Sequence, residues 1–399
     1  MTGRRILALV GVLALVAAAC AAPTTTEPTS ATTAATPATT AATPATTGGA
    51  GDTEPAAADG VCAPGQTDGD LVLYNWTEYI DPELIDAFEA EYGVEVIEDF
   101  YPSNEEMFAK VSAGASGYDV VVPSDYMVSI MIDEGLLMPL QRDAIPNAAN
   151  LDPKFVDVPY DPGNQYSMPY QWGTTGIAVN LDVVGEDFPE TWGLIFDPAL
   201  ADQYAGQISM LDDPRESLGA ALKYLGYSLN STNEAELAEA AQLIADAKDR
   251  ILLFDSDQFE DLLVAGETSI AHGWNGDFFA AFDAVSTDEF DAYEVYYYFV
   301  PEEGGVQWVD NMAILADAPH PCTAHTFINF ILDAENGAAL TNWNFYASPN
   351  AAATEYIDPE ILEDPSIYPP PETLANLEFI ADTGDFETKY SDYWEQAKS

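Results

Sequence analysis

Positive charge is what this chain has least of: 11 Lys and Arg stand against 68 Asp and Glu, for a formal net charge of −57. A surface so acidic repels nucleic acid and anionic lipid headgroups over a Debye length, so neither is an expected partner. Histidine and cysteine are equally scarce, three of each, which leaves little material for a His/Cys metal site. His320-Pro-Cys322-x-x-His325 is the one place where they gather, and two of its members flank an expected helix start, so no metal is expected there. Asp255-Ser256-Asp257 followed by Glu260 and Asp261 lacks the glycine and spacing of a calcium loop. Glycine-rich phosphate loops, a Gly-x-Ser-x-Gly elbow and a His-Glu-x-x-His pair are missing too, so the expectation is a chain that is not an enzyme and carries no cofactor. Beyond the first residues there is no apolar run long enough to cross a membrane.

What is present begins with a leader. Arg4-Arg5 precede an apolar run from Ile6 to Val16 and then Ala17-Ala18-Ala19-Cys20, the layout of an export signal. Small residues before a cysteine resemble the lipobox of bacterial lipoproteins, so residues 1–20 are expected to be a lipoprotein signal peptide and Cys20 the acylated mature N-terminus. Residues 21–65 are rich in Thr, Ala and Pro with almost no apolar side chain, and are expected to be a disordered linker. Flexible-chain scaling of roughly 5–6 Å × √n gives it a reach of about 35–40 Å. Cys62 and Cys322 then remain, and in an oxidising setting they could pair. The apolar share of 48% and aromatic share of 12% are globular values, so the acid is spread over folded sequence, and a saline habitat is one source of it.

The folded part alternates strand and helix signals. Leu71–Leu73 leads into Tyr74-Asn75-Trp76-Thr77-Glu78-Tyr79; a helix follows from Pro82 to Tyr92, then a strand Val94–Ile97, a helix around Glu105–Ala113 and a strand Tyr118–Val122. Such a β-α-β-α-β run makes a parallel sheet whose strand ends, Asn75–Tyr79, Phe100–Asn104 and Pro123–Tyr126, share one ligand-facing edge. The strand Gly176–Val179 is placed at the crossing into a second lobe. There strands Gln207–Leu211, Ser269–His272 and Tyr293–Val300 alternate with helices Pro214–Gly226 and Glu234–Lys248. Strand Val306–Leu315 and helix Cys322–Leu332 return to the first lobe, and a helix Asp385–Ala397 ends the chain. The expected fold is α/β with two lobes and a cleft between them. Residues 66–175 and 308–347 form lobe 1, and residues 176–307 and 348–399 form lobe 2, with several hinge crossings.

At strand ends an aromatic recurs beside an acid: Trp76-Thr-Glu-Tyr79, Ser124-Asp-Tyr126, Trp274-Asn-Gly-Asp277 and Trp308-Val-Asp310, with Asn344-Phe-Tyr346 following. Linear polyamines need that pairing, because protonated nitrogens seek carboxylates and ring faces while methylenes seek flat apolar walls. Asp213-Pro214-Arg215-Glu216 reads first as a capping box, and Arg215 between the acids could neutralise them.

These motifs, with Tyr-Asp-Val-Val-Val-Pro-Ser (118–124), Tyr-x-Trp-Gly-Thr-Thr (170–175), Leu-Asp-Asp-Pro-Arg-Glu (211–216) and Ser-Pro-Asn (348–350), resemble the spermidine/putrescine-binding proteins of polyamine ABC transporters over nearly all of residues 70–398. The resemblance implies a two-lobed periplasmic-binding-protein fold of the second type. It also implies that Trp76, Thr77, Tyr79, Ser124 and Tyr126 line the first lobe's side of the site, and that Asp213, Glu216, Ser256, Trp274, Trp308, Asp310 and Tyr346 contact amines or methylenes. Ile380 stands where spermidine binders carry Gln, whereas Asp277 falls where putrescine-type members tend to have an acid, so the choice of polyamine stays open. The expected protein is a monomeric, lipid-anchored receptor on the outer face of the cytoplasmic membrane that delivers a polyamine to permease subunits. Alternatives are a receptor of the same fold for thiamine, a metal complex or an amino compound, and, more remotely, a secreted carboxylate-dependent hydrolase.

Overall fold

The computed structural model describes residues 60–114, 117–287 and 289–399. Cys20, the export signal and all but the last six positions of the expected linker lie outside them. Strands β1 (Leu71–Asn75), β2 (Val96–Phe100) and β3 (Val120–Val121) pair in parallel, β1 in the middle. The intervening helix Pro82–Tyr92 starts on Asp81, whose carboxylate accepts from the Glu83 N–H, and stops at Gly93 in the left-handed region (φ 70°). Its Leu84, Ile85 and Phe88 face the core. Helix Asn104–Ser112 is capped by Ser103. The second strand runs later than expected, at Val96–Phe100 instead of Val94–Ile97. It is a half-exposed edge strand whose position is set by pairing Leu71 with Val96 and Asn75 with Phe100.

Strand β4 (Ser167–Asn180) is buried along its whole length. Its first half pairs antiparallel with β9 (Gln307–Ile314). Its second half pairs with β7 (Ile270–Trp274), and β8 (Tyr296–Phe299) joins there as well. Only Gly176–Val179 is legible as strand in the sequence. A strand covered on both faces shows no alternation, and Pro169, Gln171 and Gly173 mask it; a register shift between Pro169 and Gln171 absorbs the proline. Gly176–Val179 is therefore the interior of a longer strand and not a strand by itself. Beyond it, β5 (Ile208–Met210) runs parallel to both β7 and β6 (Ile251–Phe254), giving the order β2-β1-β3-β9-β4-β7-β5-β6 with β8 beside β4. Strand β6 and the helices Asp125–Asp133, Asn275–Val285 and Ala334–Asn344 have no counterpart in the sequence reading.

Among the described residues three large apolar clusters form the core, with a small fourth around the Cys62 and Cys322 side chains. One is built around Leu73, Phe88, Val121 and Phe327, a second around Ile195, Met210, Leu222 and Trp394, and a third around Phe259, Phe278, Tyr298 and Ile361. No helix among the described residues is long and apolar enough to cross a membrane. Cys62 and Cys322 are joined in a disulfide, with Cα atoms 5.2 Å apart. Residues 60–65, expected as the end of the linker, are bound to the body instead. The Cys62 N–H donates to Gln141 Oε1 at 2.7 Å, and Gln141 Nε2 donates to Gly60 O at 3.1 Å. Asp68 in turn caps helix Pro321–Ile331, accepting from Thr323 N at 3.0 Å and Cys322 N at 3.3 Å.

Candidate ligand-binding site

Every residue expected above to contact a ligand lines one cavity. From the first half come the ends of the parallel strands. β1 delivers Trp76, Thr77 and Tyr79, and the turn after β3 delivers Ser124 and Tyr126 at the start of helix Asp125–Asp133. From the second half, helix Pro214–Tyr224 presents Asp213 and Glu216, the loop after β6 presents Ser256, and the end of β7 presents Trp274, with Asp277 one turn on. Trp308 and Asp310 stand on β9, and Tyr346 follows helix Ala334–Asn344.

The rings form two walls. Trp76 packs on Tyr101 at 4.7 Å between centroids and meets Trp274 edge-on at 5.7 Å, and Trp274 meets Phe259 at 5.7 Å. On the other side Tyr346 stands edge-on to Tyr79 at 5.2 Å and Trp308 at 5.1 Å. Trp76 is fixed by its Nε1 donating to Val122 O at 2.9 Å. Gly276 permits the second wall, since a Cβ there would come within 2.6 Å of the Tyr346 ring.

The carboxylates between these walls are held one by one. Asp310 accepts from Tyr79 Oη at 2.8 Å and Ser124 Oγ at 2.6 Å. Burial pushes it up to about 7, against the pull of those two donors. Glu216 Oε1 accepts from Thr175 Oγ1 at 3.1 Å and Trp274 Nε1 at 3.2 Å, Oε2 is buried without a partner, and burial lifts this acid to about 7 also. Asp213 caps its helix by accepting from Arg215 N at 2.8 Å and Glu216 N at 2.9 Å, and burial followed by the nearby Glu216 raises it. Half of the capping box expected from the sequence is therefore present, and the Glu216 side chain points to the cavity rather than back to the cap.

Arg215 stands outside the lining and offsets its acids only through space, as a minor pull on Asp213 and Asp125. Its guanidinium turns away, donating to Glu387 at 2.6 and 2.8 Å and to Asn230 at 2.9 Å, and stacks 4.3 Å from the Tyr390 ring. Among the described residues no Lys or Arg lines the cavity. Among the described residues none of Asp213, Glu216 and Asp310 forms an ion pair, so most of the compensating charge must come from outside. Nor do three His, Cys, Asp or Glu side chains gather as a metal ion would require, among the described residues. Spaced acids separated by rings suit separated charges on a flexible apolar chain.

Further residues of the lining were not singled out in the sequence. Tyr101 and Asn104 come from the loop after β2, and Glu78 and Asp125 sit inside motifs read for their neighbours. Asp257, Phe259 and Glu260 belong to the stretch weighed only as a calcium loop. Asp125 is pushed up to about 8 by burial and accepts from Tyr126 N and Val309 N. Ile380, marked as a departure from the spermidine-binding pattern, also reaches the wall.

The chain is similar to proteins of known kind along most of its length. Residues 83–369 match the family model for bacterial extracellular solute-binding proteins. A putrescine/cadaverine-binding protein of Pseudomonas aeruginosa is 39% identical over 316 residues, 78% of this chain and 88% of that protein. The spermidine/putrescine-binding periplasmic protein of Escherichia coli is 36% identical over 330 residues, 82% and 91% of the two chains. Among solved structures, a candidate spermidine/putrescine ABC transporter chain from Listeria monocytogenes superposes with a TM-score of 0.77 at 37% identity, covering 83% of this chain and 99% of that one. The spermidine/putrescine ABC transporter substrate-binding protein of Streptococcus pneumoniae gives 0.66 at 35% identity, over 83% and 99%. With its two-lobed α/β fold, this chain belongs to the bacterial extracellular solute-binding proteins.

Proposed function

We propose that the protein is the substrate receptor of an ABC importer, closing its two lobes (residues 66–175 with 308–347, and 176–307 with 348–399) on a linear aliphatic polyamine of the spermidine/putrescine class. It hands that ligand to membrane permease subunits. No bond is made or broken; carboxylate spacing selects, and desolvated rings with lobe closure supply affinity. The observation that carries this reading is a cavity whose buried acids, Asp213, Glu216 and Asp310, have no protein cation beside them in the lining and are separated by Trp and Tyr rings. The names of the P. aeruginosa and E. coli relatives support it, as does the TM-score of 0.77 with the L. monocytogenes chain. The lipid anchor at Cys20 and the place outside the cytoplasmic membrane rest on the leader sequence. Titration calorimetry of the purified protein with putrescine, cadaverine and spermidine tests the assignment, and at least one is expected to bind at micromolar concentration or below. Silence toward all three, with a raised melting midpoint in thiamine or an amino acid, would overturn it.

A further inference from the structure

We propose that Arg215 is a positioning residue for closure of the cleft: Tyr126 of the first half comes to rest over its guanidinium when the halves meet, and that contact sets how slowly the ligand leaves. The inference rests on the reading above, in which two lobes close on a polyamine.

Arg215 is one of only 11 basic residues in the chain, and it is completely buried. A guanidinium taken out of water is costly unless its donors are matched. One edge of it is. Nη1 donates to both oxygens of Glu387 at 2.6 and 2.8 Å, Nη2 donates to Asn230 Oδ1 at 2.9 Å, and both reach Ala381 O at 3.3 Å. These partners hold one another in turn: Glu387 Oε1 accepts from Thr383 N and Oγ1, each at 2.9 Å, and Asn230 Oδ1 accepts from Ala381 N at 2.8 Å. Tyr390 sets its ring centroid 4.3 Å from Arg215 Cζ and donates to Leu229 O and Ser231 O, each at 2.9 Å. All of these residues belong to the second half, so the guanidinium keeps its place whether the cleft is open or shut.

One further contact crosses the cleft. Tyr126, in the first turn of helix Asp125–Asp133, brings its ring centroid to 5.5 Å from Arg215 Cζ, within the range of a cation–π attraction. The ring does not take its direction from Arg215. Its Oη donates to Glu105 Oε1 at 2.9 Å, on helix Asn104–Ser112 of the same half, and the residue is buried. Opening the cleft separates ring from cation and wets both. Tyr126, Asp213 and Glu216 face the cavity, whereas Arg215, between the two acids in the sequence, stands outside its lining. A cation held by one half and met by a ring of the other therefore favours the shut form without touching the ligand. Such a contact acts on release and hardly on capture.

A double-mutant cycle tests this, read by stopped-flow fluorescence of putrescine and spermidine capture and release on the full mature chain. Arg215→Met and Tyr126→Leu are made singly and together in a Glu387→Gln background, which serves as the baseline and leaves no acid without its partner behind the site. Arg215→Met is expected to raise the release rate about 3- to 30-fold, the size of a desolvated cation–π contact, with the capture rate within about threefold. Once Tyr126→Leu is present, the same replacement should change release by less than about twofold. Arg215→Lys in the wild-type background keeps the charge but lacks the flat guanidinium. It carries the same cycle should the Met variant not fold, and is expected to raise release about threefold, again only while Tyr126 is in place. An effect on release that persists undiminished in the Tyr126→Leu protein, or no effect at all, marks Arg215 as a purely structural residue and overturns the proposal while leaving the polyamine reading in place. A wild-type protein that binds neither amine overturns the polyamine reading, and the proposal with it.

Discussion

Asp310 owes its position to two other segments: Tyr79 from the end of β1 and Ser124 from the turn after β3 each donate to one of its oxygens. Replacing it by Asn keeps the size and removes the charge that meets an ammonium. We expect Asp310→Asn to cost about 2–4 kcal/mol of polyamine affinity, roughly 30- to 1000-fold, as for one half of a buried charged pair. The exposed Glu395→Gln is expected to change affinity less than about twofold by the same titration. Acidity gives a second test. Asp310 and Glu216 are lifted by burial to about 7 in the folded chain, against about 4 when unfolded. The native state therefore binds more protons than the unfolded one between those values, and the ligand-free protein should lose stability as pH rises from about 5 to about 7. A bound dication favours the ionised carboxylates, so binding should expel protons at pH 6 and almost none at pH 8. Calorimetry in buffers of differing ionisation enthalpy reads this directly, and a proton count that does not change with pH would contradict the assignment of these acids.

At the level of elements, the second ring wall depends on helix Asn275–Val285 approaching the chain at Asn344–Tyr346 without a side chain between them. A Cβ at Gly276 would come within 2.6 Å of both Asn344 O and the Tyr346 ring. Gly276→Ala is expected to destabilise by about 1–3 kcal/mol through overpacking and to weaken ligand binding as Tyr346 is displaced, checked by melting and titration together. The Cys62–Cys322 bond pins the segment before β1 to helix Pro321–Ile331, with a sequence separation of 260. The double serine variant should lose roughly 2–5 kcal/mol of stability in denaturant titration with ligand affinity within about twofold, because the bond lies at the end of β1 opposite the site. These elements also show what a sequence can display. Aromatic-acid pairs at strand ends were visible because two residue types of opposite habit seldom sit together without cause. Glu260 was hidden because one acid in a chain with 68 acidic residues carries no signal. The direction of Arg215 was hidden as well, since its partner Glu387 is 172 positions away. β4 was half hidden because burial on both faces erases the alternation by which strands are recognised.

For the whole molecule, the charge of −57 is a standing repulsion, screened over about 10 Å at 0.1 M salt and about 3 Å at 1 M. Melting midpoints of the ligand-free protein should rise with sodium chloride across that range, whereas capture of a polycation, drawn in by the same field, should slow; stopped-flow fluorescence of the cavity tryptophans would report the rate. A final consequence belongs to β4. Because one strand is stitched to β9 along its first half and to β7 along its second, the two halves share a single backbone element, and melting of either ladder loosens the strand that anchors the other. Loss of structure should therefore pass through the molecule as one event, giving a single calorimetric peak rather than two.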